Sequence, residues 1–248
     1  MLFRFCSAVV LSALLLVPVA AQTIRFDTNV GTIDMILNPT GNANLQGHVD
    51  NMIAYVEAGR YDLTVINRAA EDFVMQMGGF QLDTLALTDS QLNSSFNFSN
   101  IPAFDPVVVD ADSDDEIDFD VSNLSNTRGT VSLALRGDPD TGTSSFFVNI
   151  GDNVAGSAFN NLDASNFVPF ATVKNMATID LILGLQQVNL PDPPNQRPGT
   201  TDIPGDDIPV LDGNRLVFVE RAFILEIPAD GGLAPDPEAS LQALSVPE

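Results

Sequence analysis

The chain has 248 residues, of which 45% are hydrophobic, including sixteen Phe, so it can bury a substantial core. Its formal net charge at pH 7 is −23, with 33 acidic residues against ten Lys and Arg, and this negative charge disfavours nucleic acid and anionic membranes as partners. Cys6 is the only cysteine, which excludes a small disulfide-stabilised fold.

The first 21 residues have the layout of a bacterial signal peptide. Arg4 supplies a positive start, residues 7–17 form an apolar run, and the small residues 19–21 precede Gln22. An uncleaved membrane anchor is the alternative, but the apolar run is short for a bilayer span. We therefore expect a mature chain that begins near Gln22, is periplasmic or secreted, and has no contact with the membrane after cleavage.

The next part of the chain predicts a hairpin followed by a helix. Residues 23–28 and 32–37 alternate apolar and polar side chains around a turn that contains Gly31, as two half-buried strands do. From His48 the apolar residues recur at i, i+3, i+4 and i+7, which is the spacing of an amphipathic helix. We expect this helix to end near Ala58.

The following segments are mainly β in composition. Residues 64–80, 129–135 and 144–150 are rich in strand-forming residues and are bounded by turn residues. A second helix is predicted over about 175–185, and residues 216–227 have the β-branched and aromatic content of a closing strand. Few helices and many short strands indicate a β-barrel.

Three segments are expected to add little to the core of a single domain over residues 22–228. They are an acidic and polar insertion at about 81–127, a Pro-rich loop at about 190–209, and a tail at 229–248 that is rich in Pro, Ala and Asp. Such compositions offer few apolar side chains to bury. We expect the tail to be flexible.

Metal binding is weakly indicated at best. The run DADSDDEIDFD at residues 110–120 begins like a calcium loop, but Asp115 replaces the turn glycine of an EF-hand and Val121 stands where its bidentate glutamate belongs. His48 is the only histidine and has no cysteine near it. Packing at the start of the helix is its expected role, and no metal site is predicted.

Five stretches in order along the chain resemble the cyclophilin family of peptidyl-prolyl cis/trans isomerases, over about residues 23–228. They are GTIDMIL with HVDNMIAYVEAGRYDLTVINR, INRAAEDFVMQMGG, NTRGTVSLAL, SSFFVNI and LDASNFVPFATVKNM. The second is similar to the family pattern F-H-R-V-I-x-G-F-x-x-Q-G-G. The resemblance implies a mainly β fold, an eight-stranded antiparallel barrel capped by two α-helices, and activity on Xaa-Pro bonds with no cofactor.

The resemblance also implies the residues of the site. Arg68 is then catalytic, Phe73 and Gln76 complete the pattern R-x4-F-x-x-Q, and Gln76 orients the peptide. Phe73 also walls the proline pocket with two of the substrate-binding residues, Phe147 and Leu162. The full substrate-binding set is Ala134, which offers its backbone, Ser145, Phe147, Leu162, and Phe167 in place of the usual His or Tyr.

The chain departs from the family pattern at three positions. Asn67 stands where many members have His, Met77 interrupts Q-G-G, and Ser145 stands where members have Gln. Loss of the glutamine amide removes hydrogen bonds to the peptide of about 1 kcal/mol each. A cyclophilin-like module that binds proline peptides with little or no catalysis is therefore the alternative to an isomerase.

Two of the site assignments have simpler alternatives. Arg68 could be a surface residue paired with Glu71 or Asp72, and Phe147 could be an ordinary core residue. Phe146 and Phe147 are adjacent, so in a strand they must face opposite sides. The partners that the isomerase interpretation implies are proline-containing peptides and unfolded exported proteins, and we expect a monomer.

Overall fold

The computed structural model describes residues 21–81, 99–100, 122–135, 141–157, 161–188, 207–212 and 215–225. Nearly all of the predicted signal peptide, most of the acidic insertion with the run at 110–120, most of the Pro-rich loop, and the tail lie outside the described residues. Within the described part, no helix has the length and hydropathy needed to cross a bilayer.

Most of the described strands belong to one antiparallel sheet. They are β1 (Thr23–Thr28), β2 (Thr32–Leu37), β3 (Thr64–Ala69), β4 (Val74–Gln81), β5 (Ser99–Asn100), β6 (Thr130–Leu133), β7 (Phe146–Asn149), β8 (Pro169–Val173) and β12 (Val219–Leu225). A smaller sheet contains β9 (Gln186–Val188), β10 (Ile208–Leu211) and β11 (Arg215–Leu216). The helices are α1 (Gln46–Glu57) and α2 (Ala177–Leu183).

The main sheet curls into a nearly closed barrel. Its strand order is β12-β1-β2-β8-β6-β7-β4-β3, with β5 beside β4. At the seam between β3 and β12, the amide of Leu63 donates to the carbonyl of Val219 at 2.8 Å, and that of Ile66 donates to Val217 at 3.0 Å. Closure of this kind removes the exposed sheet edges. The predicted eight-stranded barrel with two helices is confirmed.

The opening hairpin follows the predicted boundaries. The alternation in β1 buries Ile24 and Phe26 in the barrel interior, as a half-buried strand requires. The turn is closed by Thr28, whose amide donates to the carbonyl of Gly31 at 3.0 Å and whose hydroxyl accepts from the Gly31 amide at 3.1 Å. The alternating sequence pattern and the hydrogen bonds of the turn therefore both indicate the β1–β2 hairpin.

Helix α1 covers one end of the barrel interior with its apolar face. Met52, Tyr55 and Val56 are buried there in the main hydrophobic cluster. In the first turn, the imidazole of His48 stacks on the ring of Phe170 at 5.2 Å between centroids. Burial lowers the pKa of His48 from 6.5 to about 4, because a charged imidazole loses its hydration there. The expected packing role of His48 is confirmed.

The small sheet was not predicted from the sequence. The predicted closing strand at 216–227 is broken, since Leu216 ends β11 and Val219 begins β12. Ile208, assigned to the Pro-rich loop, begins β10, which packs on Val65 of β3. Strand-forming composition shows that a segment is extended, but it does not show which sheet receives it.

Candidate active site

A β-bulge in β3 places Arg68 on the outer face of the barrel. Ile66 pairs with Met77, whereas Arg68 pairs with Gln76, so β3 carries one extra residue at this point. Ile66 and Met77 face the interior cluster, and strict alternation would send Arg68 inward with them. The bulge instead aligns Arg68 with Gln76 on the outside.

The guanidinium of Arg68 contacts the ring of Phe73 and pairs with no carboxylate of the described residues. Its central carbon lies 5.3 Å from the centroid of Phe73, within the range of a cation–π contact. No ion pair joins it to Glu71 or Asp72 in the described part of the chain. Its Nε is buried and makes no hydrogen bond to a described residue. No described residue therefore competes with a ligand for the N–H donors of Arg68.

A second hydrophobic cluster lies outside the barrel core and carries most of the predicted site. We call it the pocket cluster. Its residues are Val74, Phe147 and Leu162, which are buried, and Phe73, Ala134 and Phe167, which are partly buried. The rings of Phe147 and Phe167 meet edge to face at 5.5 Å. The structure thus brings together all the predicted apolar residues of the site, beside Arg68.

Val74 is the member of the pocket cluster that sequence reasoning missed. It immediately follows Phe73 and begins β4, where Met75 turns into the barrel interior. Alternation along β4 therefore sends Val74 to the same outer face as Gln76. This alternation would have identified Val74 if the first residue of β4 had been known. The sequence alone did not show where β4 begins.

Gln76 and Ser145 form one unit at the edge of the site. The amide Nε2 of Gln76 donates to the hydroxyl of Ser145 at 3.1 Å. Ser145 therefore occupies one donor of Gln76 and leaves its amide oxygen to accept from a peptide. The backbone N–H of Ala134 donates to the carbonyl of Ser145 at 2.9 Å, so the carbonyl of Ala134 is the group that it can offer.

Two of the three departures from the family pattern are fully buried. Met77 is fully buried in the barrel interior. Asn67 is also fully buried, and neither polar atom of its side chain bonds to a described residue. Neither side chain is therefore exposed on the surface of the structure.

The glycine after Met77 has a steric role. Gly78 has a φ of +80°, and a Cβ built there would lie 2.7 Å from the carbonyl oxygen of Ser144 and 2.9 Å from the ring of Phe146. Any larger residue would strain the backbone and clash with β7. Gly78 therefore permits β4 and β7 to approach beside the site.

The described residues hold no group of three or more Asp, Glu, His or Cys side chains arranged to bind a metal ion. The described part of the site instead contains apolar side chains, one arginine, and the hydrogen-bonded pair of Gln76 and Ser145. Such a set can bind a ring in a dry pocket and donate hydrogen bonds from a fixed positive charge.

Comparison with known proteins identifies the family. The family model for cyclophilin type peptidyl-prolyl cis-trans isomerase/CLD matches residues 23–202. The isomerase cyp18 of Streptomyces antibioticus is 32% identical over 132 residues, which are 53% of this chain and 64% of that protein. Isomerase A of Dickeya dadantii is 30% identical over 167 residues, 67% of this chain and 74% of that protein.

One further relative and one solved structure are also similar to this chain. A peptidyl-prolyl cis-trans isomerase of Acinetobacter baylyi is 28% identical over 177 residues, 71% of this chain and 80% of that protein. A crystal structure of a Cryptosporidium parvum cyclophilin type isomerase has a TM-score of 0.49 and 16% identity, covering 84% of this chain and 99% of that one. From the family match and these relatives, the chain belongs to the cyclophilin-type peptidyl-prolyl cis-trans isomerases.

Proposed function

We propose that this isomerase accelerates Xaa-Pro isomerisation in exported proteins as they fold, and that Arg68 is its catalytic residue. The observation that carries the proposal is the position of Arg68 on the outer face, resting on Phe73 at the margin of the pocket cluster. Its guanidinium has no carboxylate partner among the described residues.

The reaction needs no bond to be made or cleaved. Rotation about an Xaa-Pro bond is slow because amide resonance is lost in the twisted state, with a barrier of about 18–20 kcal/mol. An enzyme accelerates it by binding the twisted imide more tightly than either planar form. No nucleophile is required, so apolar walls and one cation can be sufficient.

Arg68 can stabilise the twisted state directly. As conjugation is lost, the prolyl nitrogen regains a lone pair that accepts a hydrogen bond, and a guanidinium can donate it. One such charged bond contributes about 1.5–3 kcal/mol, or about 10- to 150-fold in rate. The pocket cluster supplies the remainder by holding the ring of proline and excluding water, which strengthens the field of the arginine.

The peptide backbone that flanks the proline needs a binding contact of its own. The amide oxygen of Gln76, which accepts a hydrogen bond from no described residue, can accept one from a peptide N–H, while its Nε2 stays on Ser145. In this arrangement Gln76 fixes one segment and the pocket cluster fixes the proline, so the twisted bond lies between two held ends. Orientation of this kind lowers the entropic part of the barrier.

The alternative is a binding module, and the bond between Gln76 and Ser145 is the observation in its favour. Because Nε2 of Gln76 is engaged at 3.1 Å, the peptide loses a donor that a second amide at position 145 could replace. Such a site would bind proline peptides through its apolar walls while stabilising the twisted state poorly.

A protease-coupled assay on the mature chain separates the two functions. Wild type is expected to accelerate isomerisation of an Ala-Pro peptide, and Arg68→Ala to lose most of that acceleration. Arg221→Ala is the matched control, since Arg221 also lies over a ring, that of Phe223 at 4.4 Å, but stands on β12 away from the pocket cluster. The enzyme proposal is overturned if wild type binds the peptide and shows only the uncatalysed rate.

We also propose export to the periplasm or the medium, with unfolded exported proteins as clients. The layout of residues 1–21 supports it. N-terminal sequencing of the exported protein is expected to begin near Gln22. Recovery of chains that retain Met1 from washed membranes would contradict both cleavage and the proposed location.

A further inference from the structure

Three buried asparagines join the two sides of the pocket cluster. Asn126 precedes β6, Asn149 ends β7, and Asn153 lies in the loop after it; their exposed fractions are 0%, 0% and 1%. Nδ2 of Asn149 donates to Oδ1 of Asn126 at 3.1 Å. Nδ2 of Asn153 donates to Oδ1 of Asn149 at 2.8 Å. The three side chains form a continuous hydrogen-bonded series, which we call the asparagine series.

Each end of the asparagine series holds the backbone of a pocket residue. At one end, Nδ2 of Asn153 donates to the carbonyl of Phe73 at 2.9 Å. At the other, Nδ2 of Asn126 donates to the carbonyl of Phe167 at 2.7 Å. A third pocket residue, Leu162, donates its amide to the backbone carbonyl of Asn153 at 2.8 Å. Walls from distant parts of the sequence therefore share one polar support.

The amides of Asn126 and Asn149 make further hydrogen bonds. Oδ1 of Asn126 also accepts from the hydroxyl of Ser132 at 2.8 Å, and its Nδ2 also donates to Oδ1 of Asp163 at 2.9 Å. Nδ2 of Asn149 also donates to the hydroxyl of Thr130 at 2.9 Å. Both the nitrogen and the oxygen of the Asn126 and Asn149 amides are engaged, and both N–H donors of Asn153 are engaged, so none of the three amides can flip without breaking several bonds. A buried network with this many hydrogen bonds is rigid.

Packing alone does not account for the series. Burying amides carries a desolvation penalty that apolar side chains of similar size would avoid. Amides make directional hydrogen bonds, which can fix the position of a carbonyl group. Both carbonyls that the series holds belong to loops, since Phe73 lies between β3 and β4 and Phe167 precedes β8. Without such support, loop backbone varies in position more than strands do.

We propose that Asn126, Asn149 and Asn153 are positioning residues that fix Phe73 and Phe167 across the proline pocket. Since the guanidinium of Arg68 rests on the ring of Phe73, the series also sets the position of the catalytic group. The inference rests on the proposed function for its effect on catalysis, but its effect on peptide binding is independent of that function.

Asn149→Ala is the sharpest test, because the Asn149 side chain makes no hydrogen bond to Phe73 or Phe167 and the substitution interrupts the series between them. We expect the Kd for an Ala-Ala-Pro-Phe peptide to rise about tenfold. Where catalysis is measurable, KM should rise with it and kcat should fall less. Both are measured well below the unfolding transition of each variant.

Thr64→Val is the matched control for lost stability. The buried hydroxyl of Thr64 donates to the carbonyl of Tyr61 at 2.7 Å, at the end of β3 away from Arg68. We expect this variant to be destabilised while its Kd stays within twofold of wild type. If Asn149→Ala is folded and binds the peptide as wild type does, the positioning role is wrong.

A measurement on wild type keeps the test decisive if Asn149→Ala does not fold. Titration with the peptide should shift the side-chain amide resonances of Asn126 and Asn153, although both residues are buried beneath the pocket. Unchanged resonances at saturating peptide would overturn the proposal. A wild type that binds but does not catalyse would overturn the enzyme proposal alone, because these shifts and the Kd report binding.

Discussion

Phe146 and Phe147 are neighbours on β7, but they belong to two different hydrophobic regions. Phe146 is fully buried in the barrel interior, where its ring lies 5.5 Å from Phe26 and 5.7 Å from Tyr61. Phe147 is 4% exposed and belongs to the smaller pocket cluster, whose partly buried members include Phe167. The interior supplies most of the stability, while the pocket cluster keeps apolar surface available for a ligand.

The largest expected effect is the loss of the interior ring. Phe146→Ala should lower the free energy of unfolding by about 3–5 kcal/mol, since closely packed neighbours cannot fill the cavity. Denaturant unfolding followed by circular dichroism measures it, with Phe146→Leu as the milder control. A change below about 1 kcal/mol would contradict the separation of the two regions.

The interior should also be sensitive to acid through His48. Its pKa in the folded protein is about 4 against 6.5 for a free imidazole, so the unfolded chain takes up the proton first as the pH falls. The neutral, buried imidazole makes its full contribution to the free energy of unfolding above pH 6.5. As the pH falls to about 4, this free energy decreases by about 3 kcal/mol.

Carboxylates titrate as well, so the effect of His48 must be read as a difference between proteins. His48→Phe keeps a ring against Phe170 and cannot be protonated. We expect it to lose less stability than wild type between pH 7 and pH 4. Parallel stability curves for the two proteins over this range would contradict the burial of a neutral imidazole.

Phe147→Ala should have a mixed effect. We expect it to cost about 2 kcal/mol of stability, less than Phe146→Ala, because three members of the pocket cluster are only partly buried. The Kd for a proline peptide should rise at least tenfold, since Phe147 is a buried wall of the pocket cluster. Unchanged peptide affinity would remove Phe147 from the site.

The difference between the two regions explains what the sequence could predict. The β1–β2 hairpin and α1 follow from local alternation and periodicity, and the spacing of Arg68, Phe73 and Gln76 follows from the family pattern. The bulge at Asn67 could not be predicted, because a bulge is defined by the register of a partner strand. The asparagine series joins Asn126 to Asn149, 23 residues apart, and Asn153 to Phe73, 80 residues apart, so no local pattern predicts it.

Ser145→Gln should give a smaller effect that sharpens the distinction between enzyme and binding module. The new amide should release Nε2 of Gln76 and add a peptide contact, for a gain of about fivefold in kcat/KM. Gly79, whose missing Cβ would lie 3.1 Å from the hydroxyl of Ser145, leaves room for the longer side chain. A folded variant with lower activity would show that Ser145 is the better partner for Gln76.

The role of Arg68 is tested most directly by exchange NMR on a proline peptide with a trace of enzyme. With wild type, cross-peaks between the cis and trans forms should appear, and with Arg68→Ala they should vanish. The melting temperature of the variant should stay within a few degrees of wild type, because a partly exposed arginine without a described ion pair contributes little to the fold. Undiminished exchange with a folded Arg68→Ala would contradict the assignment of Arg68 as the catalytic residue.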